Sequence, residues 1–405
     1  MTIRWIHSCF VFICCLSVGL ATADDWPQWM GPQLNGISTE KGWSKDWQTP
    51  PETAWSKQVG IGFSSVSIQD ERLYTMGHKD GEETVWCLKA ASGDVVWSYS
   101  YEAALNDNLY EGGPGATPTV FDGRVYTLSV DGQLHCFDHA TGDLHWRRDL
   151  KSDFSVGLHE WGFNSSPLIW QDRLYVQGGR IGCYSLHDGT LIWSSSPHAA
   201  GYGAIRTMQV GDRQYLVSLD CDGLRISKPE DGSTVAFTAW KSPFATNSTT
   251  PIIRGNTIFI STGYNVGAAA FTFDGTQLKE VYTTKRMRNH FNNSILFGDH
   301  LYGFDGNSNL GRVVTLTCLE FSTGEVMWKQ RGLGCGSLMI ADGHLLVLSE
   351  KGDLVVAAAS PDGFEERSRA TILSGRCWTV PVLSGGHVFA RNASGNLVCV
   401  RLPRG

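Results

Sequence analysis

The sequence predicts an all-β fold, an eight-bladed β-propeller with four-stranded antiparallel blades and an N-terminal strand closing the last one. Three observations carry this. A four-strand pattern recurs at a spacing of about 40 to 50 residues. Its last copy has room for only about three strands. The 405 residues hold 46 glycines and 15 tryptophans, a composition of many tight turns and large flat side chains.

The pattern is clearest in residues 64–100, 115–150 and 164–196. A small-polar start leads into a short apolar strand. A tight turn follows, Gln69-Asp70, Asp122-Gly123 or Gln171-Asp172. An alternating second strand such as Arg-Val-Tyr-Thr-Leu comes next, then a third carrying Cys87, Cys136 or Cys183, and a glycine turn before a fourth with Trp97, Trp146 or Trp193. Tyr74, Tyr126 and Tyr175 of the second strands read as core or blade-surface residues, and Arg124 and Arg173 beside them as solvated edge groups.

Weaker copies cover residues 204–240, 247–284, 291–331 and 336–373. In the third of these, Cys318, Gly324 and Trp328 return to register. The last copy, 378–402, is the short one. A ring removes its free edges when an N-terminal strand completes the final blade, and residues 53–59 are placed to do so. The count is therefore eight, with seven as the alternative.

The predicted layout is a signal peptide over 1–23, an N-terminal arm over 24–52 and one propeller domain over 53–405. The leader carries Arg4, an apolar run from Cys9 to Leu20 and the small-x-small triplet Ala21-Thr22-Ala23. That run is shorter than a membrane span of about 20 residues; an uncleaved anchor is the alternative. The expected product is exported, periplasmic or secreted, monomeric and without a transmembrane span. The formal net charge of -7 leaves no basic footprint for nucleic acid. The arm, with its Trp26-Pro27-Gln28-Trp29, shows no strand alternation and is expected to pack across the ring.

Residues 137–146 read Phe-Asp-His-Ala-Thr-Gly-Asp-Leu-His-Trp. They resemble the repeat signature of the quinoprotein (PQQ-repeat) superfamily, roughly Asp-x-x-Thr-Gly-x-x-x-Trp. Ser92-Gly93 to Trp97, Asp188-Gly189 to Trp193 and Thr323-Gly324 to Trp328 repeat its core. The resemblance implies that Trp97, Trp146, Trp193 and Trp328 dock neighbouring blades on the glycine turn. Ala236 and Arg367 stand at that position in two blades, where docking is expected to be incomplete. The superfamily holds PQQ-dependent alcohol dehydrogenases and non-catalytic propellers similar to the outer-membrane assembly lipoprotein BamB. The layout here looks most like bacterial secreted PQQ-like repeat proteins.

In the dehydrogenases, PQQ lies over a tryptophan beneath a disulfide of adjacent cysteines. A Ca²⁺ held by Glu, Asn and Asp polarises the quinone. The adjacent pair here is Cys14-Cys15, inside the leader, and the long insertions that enclose PQQ are missing. The leading expectation is a binding or scaffold protein for protein or carbohydrate partners, with no redox catalysis, no cofactor and no metal site. A PQQ-dependent dehydrogenase with PQQ and Ca²⁺ is the alternative. Eight of the eleven cysteines lie beyond the leader. Those preceding the repeat glycine read as buried thiols. Cys335 and Cys377 begin innermost strands of consecutive blades, where a disulfide and free thiols are both open readings.

Loops leading into the innermost strands share one mouth of a propeller. Here they are rich in aromatic and polar groups. Glu111, Glu160, Trp161, Arg206, His290, Arg376 and Trp378 are expected to share one funnel, a layout suited to a small molecule or sugar. Glu111 and Glu160 also stand as a candidate carboxylate pair for glycoside chemistry. The alternative is that these polar groups only satisfy the inner strands and ordered water.

Overall fold

The computed structural model describes residues 25–308 and 313–405; the expected signal peptide lies outside them. Eight four-stranded antiparallel sheets form a ring of blades. From blade 1 to blade 8 the innermost strands are Ser67–Gln69, Thr119–Phe121, Leu168–Trp170, Arg206–Val210, Ile252–Arg254, Ile295–Phe297, Ser337–Ala341 and Val382–Ser384. Blade 8 is completed on its outside by Glu52–Gln58, antiparallel to Asn396–Arg401. The ring is thus closed by its own N-terminal strand.

Burial follows from this stacking. Second strands such as Arg124–Leu128 are buried on both faces beyond their first residue, because a neighbouring blade covers each face. Outermost strands such as Val95–Glu102 alternate between buried and exposed, since one face meets water.

The seams share one device. In five blades a tryptophan of the outermost strand stands opposite a cysteine of the third: Trp97 with Cys87, Trp146 with Cys136, Trp193 with Cys183, Trp328 with Cys318, and Trp55 with Cys399. In four of them, all but Trp328, the indole crosses to the next blade and lies on its glycine turn. Trp97 covers Gly142, whose φ is +79° and where a Cβ would sit 2.6 Å from the ring. Only glycine accepts both that backbone and that contact. Trp97 Nε1 also donates to the His139 carbonyl at 3.1 Å, and Trp146 Nε1 to that of Leu186 at 3.1 Å.

Four seams depart from the indole-on-glycine pattern, two of them, at Ala236 and Arg367, where departure was expected. At Gly324 the ring is Tyr282, whose hydroxyl donates to the Phe321 carbonyl at 3.0 Å. Where Ala236 stands, Tyr215 and Phe273 fill the seam edge to face at 4.9 Å, and the Tyr215 hydroxyl donates to the Gly275 carbonyl at 3.2 Å. Trp328 meets no glycine. It donates to the Ser360 carbonyl at 2.8 Å and packs against Phe364. Around Arg367, the arm's Trp43 and Trp47 join the core shared by blades 7, 8 and 1. Arg124 is not a solvated group: it donates to the Leu186 carbonyl of the next blade at 2.6 Å.

The closing seam has two ties. Trp55 lies on Gly93 of blade 1 and donates to the Ala90 carbonyl at 2.9 Å. Buried Arg391 of blade 8 donates to the carbonyls of Met76 at 2.6 Å and Gly60 at 2.7 Å. Burial lowers its pKa to about 9, so it remains charged at neutral pH.

The arm is an axle. Trp26 exchanges backbone hydrogen bonds with Ile68 of blade 1, and the Pro27 carbonyl accepts from the Val120 amide of blade 2. Leu34 packs among Leu168 of blade 3 and Ile205, and its carbonyl takes the guanidinium of Arg206 in blade 4. Trp29 Nε1 donates to Thr250 Oγ1 beside blade 5 at 3.1 Å. Gly36 fits against Ile295 of blade 6. Ile37–Ser38 pairs in parallel with Ile340 and Ala341 of blade 7, a short strand that the sequence pattern did not announce. Glu40 accepts from the Gly385 and Gly386 amides of blade 8. One segment therefore touches every blade and closes one end of the channel.

Two predictions follow from the seams. Trp55→Ala removes a half-buried indole and is expected to lower the unfolding free energy by about 2–4 kcal/mol, below a fully buried truncation, read as a shifted urea midpoint. The second concerns Glu83, which accepts from Tyr101 Oη at 2.9 Å and from the Val130 amide of blade 2 at 3.2 Å. Burial raises its pKa from 4.5 to about 7. Its contribution to stability is full below pH 4.5 and is lost as pH rises through 7. Adjacent His135, lowered from 6.5 to about 4 by burial, opposes this only below pH 6.5. Stability should therefore fall by about 0.5 kcal/mol between pH 6.5 and 8, and Glu83→Gln should flatten that slope in thermal melts.

Candidate functional site: an aromatic funnel with a tryptophan floor

Opposite the arm, the loops leading into the innermost strands and the loops between second and third strands share one face. Between them lies a funnel of 290 Å³. Its wall is an arc of rings in contact. Tyr110 meets Phe63 at 5.6 Å between centroids, and Phe63 stacks on Trp378 at 5.5 Å with a 28° tilt. Trp378 meets Phe291 at 4.2 Å, Phe291 meets His290 at 4.7 Å, and His290 meets Tyr264 edge-on at 5.0 Å. Phe244 extends the arc at one end and Trp161, 6.1 Å from Tyr110, at the other. Trp29 of the arm also lines the funnel and supplies its floor.

Polar groups hold these rings in place. Trp378 Nε1 donates to Glu350 Oε1 at 3.0 Å, while Glu350 Oε2 accepts the Cys335 amide at 3.0 Å. Arg376 lies 4.4 Å over the Trp378 ring and pairs with Glu111 at 2.6 Å, the two side chains 36% and 34% exposed. Such a pair leaves little net charge in the funnel. His290 Nε2 is hydrogen-bonded to the Tyr264 hydroxyl at 3.0 Å. Burial lowers the His290 pKa to about 4, so the ring is neutral at physiological pH. Ser248 Oγ fixes the His290 carbonyl at 2.7 Å, and Asn164 Nδ2 that of Trp161 at 2.5 Å.

Of the seven residues expected to share the funnel, Trp161, His290, Arg376 and Trp378 line it. Glu111 joins them through Arg376. Glu160 is exposed and does not line the cavity; its backbone carbonyl accepts Asn106 Nδ2 at 3.2 Å. Arg206 is not there either. It opens the innermost strand of blade 4, and its guanidinium reaches the Leu34 carbonyl of the arm. Burial lowers its pKa to about 10, which leaves it protonated. Glu111 and Glu160 are therefore not a carboxylate pair over the cavity.

The funnel also holds residues that the sequence reading missed. Phe63 precedes blade 1 as Tyr110 precedes blade 2, so its place was available by analogy. Tyr264 and Glu350 sit in loops between second and third strands, which face the same mouth. Cys335 and Cys377 are free, buried thiols. Burial pushes the Cys377 thiol up to about 12 and the Cys335 thiol higher still. Among the described residues, no three His, Cys, Asp or Glu side chains converge as metal ligands, and no helix is long and apolar enough to cross a membrane.

Ring closure, indole-on-glycine seams and a loop-built funnel define a PQQ-like repeat propeller. A family profile described as outer membrane protein assembly factor BamB matches residues 82–330, and the chain belongs to that family. BamB from Moraxella catarrhalis is 14% identical, with a TM-score of 0.62 over 87% of this chain and 100% of that one. A europium-containing methanol dehydrogenase is 10% identical, with a TM-score of 0.67 over 92% and 90%. The quinohemoprotein alcohol dehydrogenase from Comamonas testosteroni is 10% identical, with a TM-score of 0.67 over 94% and 82%. At these identities the likeness is one of fold. No curated protein matches the chain.

Arg206→Met is expected to release the Leu34 carbonyl. A charged hydrogen bond of this kind contributes roughly 1.5–3 kcal/mol, so amide exchange over residues 34–37 should speed up at least tenfold, read by hydrogen–deuterium exchange.

Proposed function

We propose that this protein is an exported, monomeric binding module whose aromatic funnel captures a ligand or partner, and that it carries out no redox chemistry. One observation carries the reading. Most of the funnel's polar side chains are engaged in holding rings or backbone, and among the described residues none forms a metal set. Glu350 uses both oxygens on Trp378 and Cys335. His290 is half-buried and its ring is neutral. The rings, with His290 Nδ1 and Ser308 Oγ at their edge, are what remain to meet a ligand.

The dehydrogenase neighbours raise PQQ as a second reading, and the residues present do not fit it. PQQ carries several carboxylates, and burying them calls for cations. The funnel lining holds Arg376, already paired with Glu111. The cysteines of the described residues are scattered singly over the blades, so no adjacent pair stands over the cavity. Membership of the BamB family favours a protein-binding or assembly role, and the leader favours export. Rim side chains Leu109, 82% exposed, and Phe244, 54% exposed, add apolar surface around the mouth of the kind that marks interaction sites.

The test is calorimetric titration of the purified protein with PQQ, with and without Ca²⁺. No saturable heat at high micromolar PQQ is the expected result. Tight, Ca²⁺-dependent, one-to-one binding would overturn the reading and make the funnel a cofactor site.

A further inference from the structure

The chemistry of the funnel narrows what it takes. Its wall is flat and aromatic, from Tyr110 through Phe63, Trp378 and Phe291 to Tyr264. Among the described residues its one cation, Arg376, pairs with Glu111, and the remaining carboxylate, Glu350, has both oxygens engaged by an indole and an amide. An anion would lose its hydration with no free cation to replace it, and a cation would meet a carboxylate whose two oxygens already accept hydrogen bonds. Yet the cavity is not purely apolar. His290 Nδ1 and Ser308 Oγ are buried in its lining and have no hydrogen-bond partner among the described residues. An acyl chain would leave both unsatisfied, at a cost that hydrogen-bonding ligands avoid. A peptide would set its backbone amides against a wall that is mostly rings. The remaining chemistry is a neutral molecule with apolar C–H faces and hydroxyls at its edges. The volume, near the lower end of the roughly 300–1,000 Å³ range of small-molecule sites, and the Trp29 floor suit the end of a chain rather than a strand passing through.

We propose that the funnel binds the terminus of a neutral glycan. A pyranose ring stacks on the Phe63–Trp378–Phe291 arc, and its hydroxyls meet the Arg376–Glu111 pair, His290 Nδ1 and Ser308 Oγ. The ion pair sets a donor beside an acceptor, which is what neighbouring hydroxyls require. This assignment rests on the binding-module reading and names the ligand class of that same site.

The experiment titrates the purified protein with cellohexaose, xylohexaose, mannohexaose and chitohexaose, read by calorimetry and by tryptophan emission. At least one should bind one-to-one and shift the emission. Trp378→Ala and Glu111→Gln should each weaken that binding at least tenfold. Trp161→Ala, at the rim, guards against a Trp378 variant that fails to fold, and near-UV circular dichroism checks both. Two results would overturn the proposal: no heat from any hexasaccharide up to about 10 mM, a Kd beyond millimolar, or binding that the funnel variants leave unchanged. Parallel titrations with a Phe/Leu-rich hexapeptide and with phosphatidylcholine vesicles identify the alternatives, and funnel-dependent binding of either overturns the glycan assignment while preserving the binding-module reading. Ca²⁺-dependent PQQ binding would remove both.

Discussion

The ring depends on an indole lying on a glycine turn of the next blade. A four-stranded blade cannot bury both faces alone, so its stability comes from neighbours. The glycine turn lets a flat ring approach the backbone with no Cβ between them. The same ring donates its N–H to a carbonyl of that turn, so the contact fixes both spacing and angle. Trp97, Trp146 and Trp55 repeat it, and Tyr282 reproduces it with a hydroxyl in place of the indole N–H. Where Ala236 removes the ring, Tyr215 and Phe273 restore the bulk. The seam needs volume and one donor more than it needs tryptophan.

Ring closure brings distant segments together, and the arm uses this. It lies along the channel end, tied to each blade through backbone groups, the Arg206 guanidinium and Glu40. An open channel becomes a cup. The arm's Trp29 is both a structural tie, through Thr250, and part of the funnel lining. The functional face and the N-terminal segment are thereby coupled.

In the funnel, side-chain hydrogen bonds are spent on ring orientation. Glu350, Ser248 and Asn164 each hold an aromatic residue or its backbone. The result is a pre-formed aromatic surface, in which little is left to order when a ligand arrives.

The sequence by itself determined the blades and the closing strand and favoured eight blades over seven, because strand alternation, glycine turns and paired Cys–Trp positions are local and repeat in register. The roles of Trp97 and Trp146 were legible for that reason. Trp55 was legible only as part of the closing strand, since its partner Cys399 lies at the other end of the chain. The funnel was legible in part. Loop position marked Trp161, His290, Arg376 and Trp378, but it could not say which way a side chain turns. Only the tertiary structure sent Arg206 to the arm and left Glu160 outside the cavity. It also gave Trp29 to the funnel and kept Cys335 and Cys377 apart as thiols. Side-chain direction at a channel mouth is decided by the nearest unsatisfied partner, and that partner comes from another blade or from the arm, at a sequence distance no local pattern encodes.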